Sequence, residues 1–517
     1  MPVKVVIRKN TYFDSVSLMS LSTKANRIDG VEQAVVAMGT EMNKGVLRNV
    51  GLFTPEVGGA GNGDLLIVVK AASEEACDVA LTGVQELLDK RDKPGSAKGE
   101  MRYATLDSAA EHVAEANLAI ISVPGEYAAR EARKALDRDL HVLLFSDNMS
   151  VDDEIALKRA AHEKGLLVMG PDCGTAILGN VGLCFANAVR RGNIGIVGAS
   201  GTGSQEVSVR IHDFGGGITQ LIGTGGRDLS ERVGGIMMLD GMRALAEDPA
   251  TEVIVLVSKP PAKVVEQRVL AEIKGCGKPV VVCFLGGSEA AVTAAGGHFA
   301  RTTKEAALKA VVLAGRNEAE IDKRALNLPL IEQVRAKLSP AQQYIRGLMC
   351  GGTLCDELMF IAREKYDEVY SNIAKDPAHR LQDVNVSRAH TFVDFGDDEF
   401  TRGKPHPMID PSLRIERLLQ EGRDPAVGVI VMDFILGFGA HEDPVGVTLP
   451  AIEESKALAA REGRHLEILA YVLGTEDDTP SLSEQTRKLA AAGVTIASSC
   501  TNAGLLARRF VEKGARS

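Results

Sequence analysis

Asn193-Ile194-Gly195-Ile196-Val197-Gly198-Ala199-Ser200-Gly201-Thr202-Gly203-Ser204-Gln205-Glu206 decides how this 517-residue chain is read. The first five residues form a short apolar run of strand length, and the small residues after it open a helix. A strand apolar on both faces belongs inside a parallel sheet covered by helices. Small residues at the turn let backbone N–H groups and hydroxyls close on an anion at the positive end of the helix dipole. A capped helix start uses the same residue types, so Ser200, Gly201, Thr202, Gly203 and Ser204 are read as an anion site with plain capping as the alternative. The pattern G-x-x-x-x-G-K-[ST] appears nowhere. The sequence therefore points to phosphate or acyl-phosphate handling without an ATP-binding loop.

Working outward, the same layout repeats. Leu118–Val123, His141–Ser146 and Leu166–Met169 read as strands, with helices Tyr127–Arg138 and Val151–Lys164 between them. After the quoted stretch come strands Thr219–Gly223, Val253–Val257 and Val280–Phe284. A third series starts at Tyr344–Met349 and runs through Cys350-Gly351-Gly352-Thr353, Val427–Met432, Leu466–Val472 and Val494–Ala497. The predicted fold class is α/β, with several doubly wound parallel-sheet domains: a Rossmann-like unit and two flavodoxin-like halves after a small N-terminal α/β unit. The expected domains are residues 1–100, 101–190, 191–325 and 330–517. Lys90–Gly99 reads as a linker, and Asn317–Pro329 as a polar, helix-like connection between the halves. Ligands in such sheets collect at the carboxyl ends of the strands.

Composition narrows the function classes. The formal charge of −10, with no Lys/Arg cluster, argues against a nucleic-acid partner. Aromatic residues at 4%, with no Trp, supply no base-stacking platform. The apolar runs are far shorter than the ~20 residues a membrane helix needs, and the first residues read as a strand rather than a signal peptide. Eight scattered cysteines fit reduced thiols, so a cytoplasmic location is expected. Their spacing offers no paired zinc motif, and no metal site is expected.

Further candidate residues follow the same logic. Gly225 and Gly226 with Arg227 form a second small-residue loop whose guanidinium could clamp a carboxylate or phosphate. Gly351, Gly352 and Thr353 form a third, with Cys350 at a helix start that could lower its pKa. His441 is a candidate acid/base, or equally a capping or core histidine.

At Gly170-Pro171-Asp172-Cys173-Gly174 and Gly195–Thr202 the chain resembles the α subunit of succinyl-CoA synthetase, which has G-P-N-C-x-G and then G-I-V-S-x-S-G-T. Residues Asp383–Phe510 resemble the carboxy-terminal domain of the β subunit, Phe392–Gly396 matching its F-L-D-V-G-G and Ala426–Gly439 its A-V-L-V-N-I-F-G-G. One chain combining these parts without the nucleotide-grasping domain is similar to the FdrA family.

The resemblance implies a subunit of an oxamate carbamoyltransferase of anaerobic allantoin use, working with separate protein subunits on a small-molecule substrate. Inorganic phosphate would be a reactant. CoA would be the further cofactor, but the G-F-x-G-x-x-G loop of the synthetases is missing. Their phosphoryl-accepting histidine lies in a G-H-A-G-A loop; here His298 follows a different, shortened context. Their supporting glutamate is replaced by Lys259 in Val257-Ser258-Lys259-Pro260-Pro261, which points to binding an anion. Two alternatives stay open: an acyl-CoA synthetase half awaiting an ATP-grasp subunit, and a non-catalytic scaffold. Homo-oligomerisation is left open.

Overall fold

The computed structural model describes residues 2–9, 11, 13, 15–26, 28–92, 103–401 and 405–512. The predicted linker Lys90–Gly99 and the boundary at residues 100/101 lie outside these residues from residue 93 on. Lys90 itself still belongs to a helix, Glu74–Asp92. The chain divides into two compact units, Met1–His112 with Thr401–Pro405, and the remainder.

In the first unit, Leu65–Ala71 is the centre of a three-stranded sheet and pairs antiparallel with Val3–Arg8 on one side and Val31–Met38 on the other. The central strand is buried along nearly its whole length, as its Leu-Leu-Ile-Val-Val run demands. Helices Ser15–Asn26 and Glu74–Asp92 supply Leu18, Leu21, Cys77 and Val84 to the same core.

The second unit holds three sheets. The Rossmann-like segment is reduced to three parallel strands, Leu118–Ile121, His141–Leu144 and Val168–Met169. Thr175–Leu178 and Val181–Cys184, inside the expected 101–190 domain, form a hairpin that pairs instead with the next sheet. That next sheet runs in the order His298–Phe299, Val280–Phe284, Val253–Ser258, Arg191–Gly198, Ile218–Gly223, then the hairpin. Its first five strands are parallel. The third sheet is parallel throughout: Val369–Ser371, His390–Asp394, Tyr344–Met349, Val427–Ile435, Glu467–Leu473 and Thr495–Ala497.

Both larger sheets reverse their strand order beside their first parallel strand. Arg191–Gly198 has its successor on one side and Val253–Ser258 on the other; Tyr344–Met349 sits likewise between His390–Asp394 and Val427–Ile435. Crevices at such reversals are where open α/β sheets bind ligands. Each of these two strands feeds a helix, Gly201–Asp213 and Gly352–Arg363 respectively. Apolar clusters cover both faces of each sheet. One of them joins the two halves, with Phe185 and Val209 packed among Leu354, Leu358 and Phe510.

The expected connector helix over Asn317–Pro329 is absent. A single 3-10 turn, Glu318–Glu320, stands there, and a true helix starts only at Leu328. The reason is local: the Asn317 and Asn327 side chains each accept an amide that would otherwise continue a helix backwards. Among the described residues no helix is long and apolar enough to cross a membrane.

Candidate functional site

The starts of the Gly201 and Gly352 helices meet. Ser200 caps the first, its Oγ accepting the Gly203 amide at 3.0 Å. The same Oγ lies 2.5 Å from Thr353 Oγ1 in the first turn of the second helix. A Cβ on Gly203 would lie 2.8 Å from Thr353 Cγ2, and one on Gly351 would lie 2.9 Å from Thr202 Cβ. Glycine at these two places is what permits the approach of two backbones. Helical geometry leaves the first amides of each helix without intrahelical acceptors, so those of Gly201, Thr202, Gly352 and Thr353 converge on one region.

Lys259 reaches this region from the end of Val253–Ser258. Its Nζ would stand 2.7 Å from a Cβ on Gly352, and Asp394 Oδ2 would stand 2.5 Å from it. The Asp356 carboxylate is 3.7 Å from Lys259 Nζ. Burial works against the lysine's charge, but Asp356 and Asp394 outweigh it and hold the ammonium above its ordinary value. Burial meanwhile raises Asp356, and raises Asp394 to about 7, with Lys259 pulling both back down. The opposite directions are compatible because one ammonium is shared: the lysine gains two partners and each carboxylate only part of one. Lys259 therefore stays charged at the positive end of a helix, an arrangement that favours an anion beside it.

Other predicted residues are placed differently. Ser204 is buried with its Oγ turned back onto Gly198, where a Cβ would come within 1.9 Å, so it fills the turn and not the mouth. Gly225, with φ +82°, packs its backbone on Gly170 and Pro171, while Gly226 is exposed. Arg227 is engaged: its Nε lies 3.0 Å from Glu154 Oε2 and its Nη2 donates to Met149 O at 3.0 Å. The Cys350 and Gly351 amides are filled from within the chain. Asp433 Oδ1 accepts the former at 2.8 Å and Oδ2 the latter at 3.1 Å, and Arg414 Nη1 donates to Oδ1 at 2.8 Å.

Of the three catalytic candidates, Cys350 is corrected. Burial first, and then the Asp433 carboxylate, push the Cys350 thiol well above its ordinary range, the reverse of the expected lowering. Iodoacetamide at pH 8 is therefore expected to alkylate the half-exposed Cys276 and leave Cys350 unmodified in the folded chain, as read by peptide mass spectrometry. His298 is exposed on the edge strand, opposite Val281 near the start of Val280–Phe284, away from the carboxyl ends where Lys259 lies. His441 Nδ1 accepts the Asp443 amide at 3.0 Å, and it is Asp443 that caps the helix that follows.

Residues not singled out from sequence complete the crevice. Asp394 Oδ1 accepts the Gly396 amide at 2.9 Å. His406 stands against Gly396, and burial with Arg414 nearby lowers it to about 4, so it is neutral at pH 7. The signal for Asp433 was present: it is the one charged residue in the otherwise apolar strand Val-Gly-Val-Ile-Val-Met-Asp-Phe-Ile, and a buried carboxylate requires partners.

A family model described as "AllF, heavy metal-associated domain" matches residues 1–104. One described as "CoA binding domain" matches residues 189–286, the segment of the Ser200 turn and not the three-stranded segment. One described as "CoA-ligase" matches residues 348–510. The chain is 64% identical over 514 residues to YahF of Escherichia coli (strain K12), covering 99% of each. It is 30% identical over 182 residues to succinate–CoA ligase [ADP-forming] subunit alpha 2 of Archaeoglobus fulgidus, covering 34% of this chain and 61% of that one. It is 26% identical over 255 residues to subunit alpha of the same enzyme from Methanothermobacter thermautotrophicus, covering 47% and 84%.

The metal in the first model's description does not suit these residues. Residues 1–104 contain one cysteine, Cys77, and no histidine. Cys77 is buried, with its thiol directed at the carbonyls of Pro2 and Val69. Soft metals take several thiolate or imidazole ligands, and no chemistry is assigned to a metal here.

Proposed function

The chain belongs to the FdrA family, and from that premise we propose that it is the phosphate-handling subunit of an oxamate carbamoyltransferase, cleaving oxalurate with phosphate to oxamate and carbamoyl phosphate. Its second unit has the CoA-ligase-like architecture of the succinyl-CoA synthetases. The observation that carries the proposal is the meeting of the Gly201 and Gly352 helix starts with the Lys259 ammonium beside them.

In this reading, phosphate docks against the amides of the two helix starts, where dipole and lysine both favour it. It attacks the carbamoyl carbon, and the same preorganised donors stabilise the oxyanion that forms. Lys259 also suits the oxalurate carboxylate, since Arg227 is held by Glu154 and Met149. No nucleotide is consumed. CoA and a resident metal have no part in these steps, and the remaining subunits come from separate chains.

The test is release of carbamoyl phosphate from oxalurate by the full chain, alone and with its co-purifying subunits. Strict dependence on added phosphate is expected, and Lys259→Met should abolish it. Release without phosphate, or none under any condition, would refute the reading.

A second reading is favoured by the similarity to succinate–CoA ligase alpha subunits. It is an acyl-CoA synthetase half that needs CoA and a phosphorylated His298. His298→Ala would then abolish acyl-CoA formation. The exposed edge position of His298 ranks this second.

A further inference from the structure

The reaction proposed above leaves one proton to be moved. Phosphate enters as its monohydrogen dianion and leaves as the carbamoyl phosphate dianion, a mixed anhydride, so its proton must depart as the new O–C bond forms. The C–N bond of oxalurate breaks at the same carbon, and the departing nitrogen needs one proton to leave as the amide of oxamate. One group that accepts the first and delivers the second balances the step, with no other reactant. The groups assigned so far have other work: Lys259 is a held cation with Asp356 paired to it at 3.7 Å, His406 is neutral with its Nδ1 accepting the Met408 amide at 3.2 Å, and Asp394 is buried with Oδ1 on the Gly396 amide.

We infer that Asp172 is the proton-transferring catalytic residue of this crevice, accepting the phosphate proton and returning it to the departing amide nitrogen. Asp172 follows Val168–Met169 at the carboxyl end of the three-stranded sheet. Its backbone is left-handed, with φ 56°, and its amide donates to Ser146 O at 3.0 Å. The loop is clamped from the other side, because a Cβ on Gly225 would lie 2.4 Å from Pro171 O. Three residues on, Thr175 Oγ1 is buried without a hydrogen-bond partner among the described residues, and it would lie 3.6 Å from a Cβ on Gly201. An unpartnered buried hydroxyl facing the first turn of that helix marks a place built for a polar guest. The turn that carries Asp172 thus borders the same helix start that meets Thr353 and Lys259.

The environment fits the task. The Asp172 side chain is exposed, so a substrate can reach it. No described residue hydrogen-bonds its carboxylate. Desolvation, with the Asp147 and Asp398 carboxylates facing it, raises it to about 7, against the opposing charges of Arg227 and Lys259. A base poised near the working pH transfers protons best in both directions. The aspartate also stands where G-P-N-C-x-G of the synthetase α subunit has an amide, and Lys259 where that subunit has a carboxylate.

This inference rests on the phosphorolysis reading, and one experiment separates the two. Carbamoyl phosphate release by the full chain with its co-purifying subunits is followed across about pH 5 to 9 at saturating phosphate, so that the ionisation of free phosphate drops out of kcat. Wild-type kcat should rise with pH through a limb near 7, because only the ionised carboxylate can accept the proton. Asp172→Asn should lower kcat about 100-fold or more, leave the phosphate KM unchanged or lower, and remove the limb. Asn tolerates the left-handed backbone, so the thermal midpoint should hold. Asp172→Glu should restore part of kcat, with a displaced limb. An active wild type whose Asp172→Asn variant keeps its kcat and its limb overturns the inference alone. An inactive wild type overturns phosphorolysis and the inference together.

Discussion

Arg414→Met is expected to cost the carboxy-terminal half about 3–5 kcal/mol, the typical penalty for stranding one member of a buried ion pair. Arg414 and Asp433 are both buried. The guanidinium donates at 2.8 Å to Asp433 Oδ1 and at 2.8 Å to the Asp433 carbonyl. Methionine has a similar stem and fills the space, so the loss is electrostatic rather than steric. Asp433 would keep the Cys350 and Gly351 amides but lose the one cation paired with it among the described residues. Native-state hydrogen exchange reads the effect locally, as lost protection of the Gly352 helix amides that start from this carboxylate. In a chain of several units this is better defined than one global midpoint. Asp433→Asn should be milder, since its amide oxygen can still accept one N–H. A loss below about 1 kcal/mol for Arg414→Met would mean that the pair is not holding the turn.

Gly352→Ala should behave in the opposite way, with function lost and stability kept. The new Cβ would sit 2.5 Å from Asp394 Oδ2 and 2.7 Å from Lys259 Nζ, so both must move. Lys259 Nζ ends a long side chain that can swing away, whereas Asp394, buried with Oδ1 on the Gly396 amide, gives only by a small shift. Alanine is also the better helix former, by about 1 kcal/mol. The fold should hold within about 1 kcal/mol as the two terms offset. The displaced ammonium, however, no longer stands at the helix mouth. Phosphate KM is expected to rise about tenfold or more, the loss of one charge-assisted contact of roughly 1.5–3 kcal/mol. Steady-state kinetics against phosphate, paired with a thermal melt, would check both halves. An unchanged KM in a folded variant would remove Lys259 from the phosphate site.

Much of the architecture could be read in advance because the physics there is local. A short apolar run followed by Ser-Gly-Thr-Gly-Ser says strand, cap and helix within a dozen residues, and the structure has all three. Lys259 was legible as a charge of the wrong sign at a known kind of turn. What escaped was set by contacts between distant segments. Asp433 and Cys350 are 83 residues apart, and no spacing rule forecasts that the one fills the other's helix mouth. Arg227 looked like a free clamp because Glu154, its partner, sits in a different sheet's helix. Cys350 was expected to be acidified by its helix, but the dipole of one helix start loses to complete burial beside a carboxylate. Asp172 stood in the sequence only as part of the Gly170–Gly174 match, and only the folded chain gives it neighbours.

The join between the two halves has a consequence for how the protein should respond to dilution. Ser200 and Thr353 belong to one covalent chain and one compact unit, backed by a continuous apolar cluster and by the Asp478 carboxylate accepting from Asn187 and Ala188. Tethering makes their encounter intramolecular, at an effective concentration that no change in protein concentration alters. Specific activity that falls on dilution would therefore report the departure of another polypeptide, never the separation of these two helix starts.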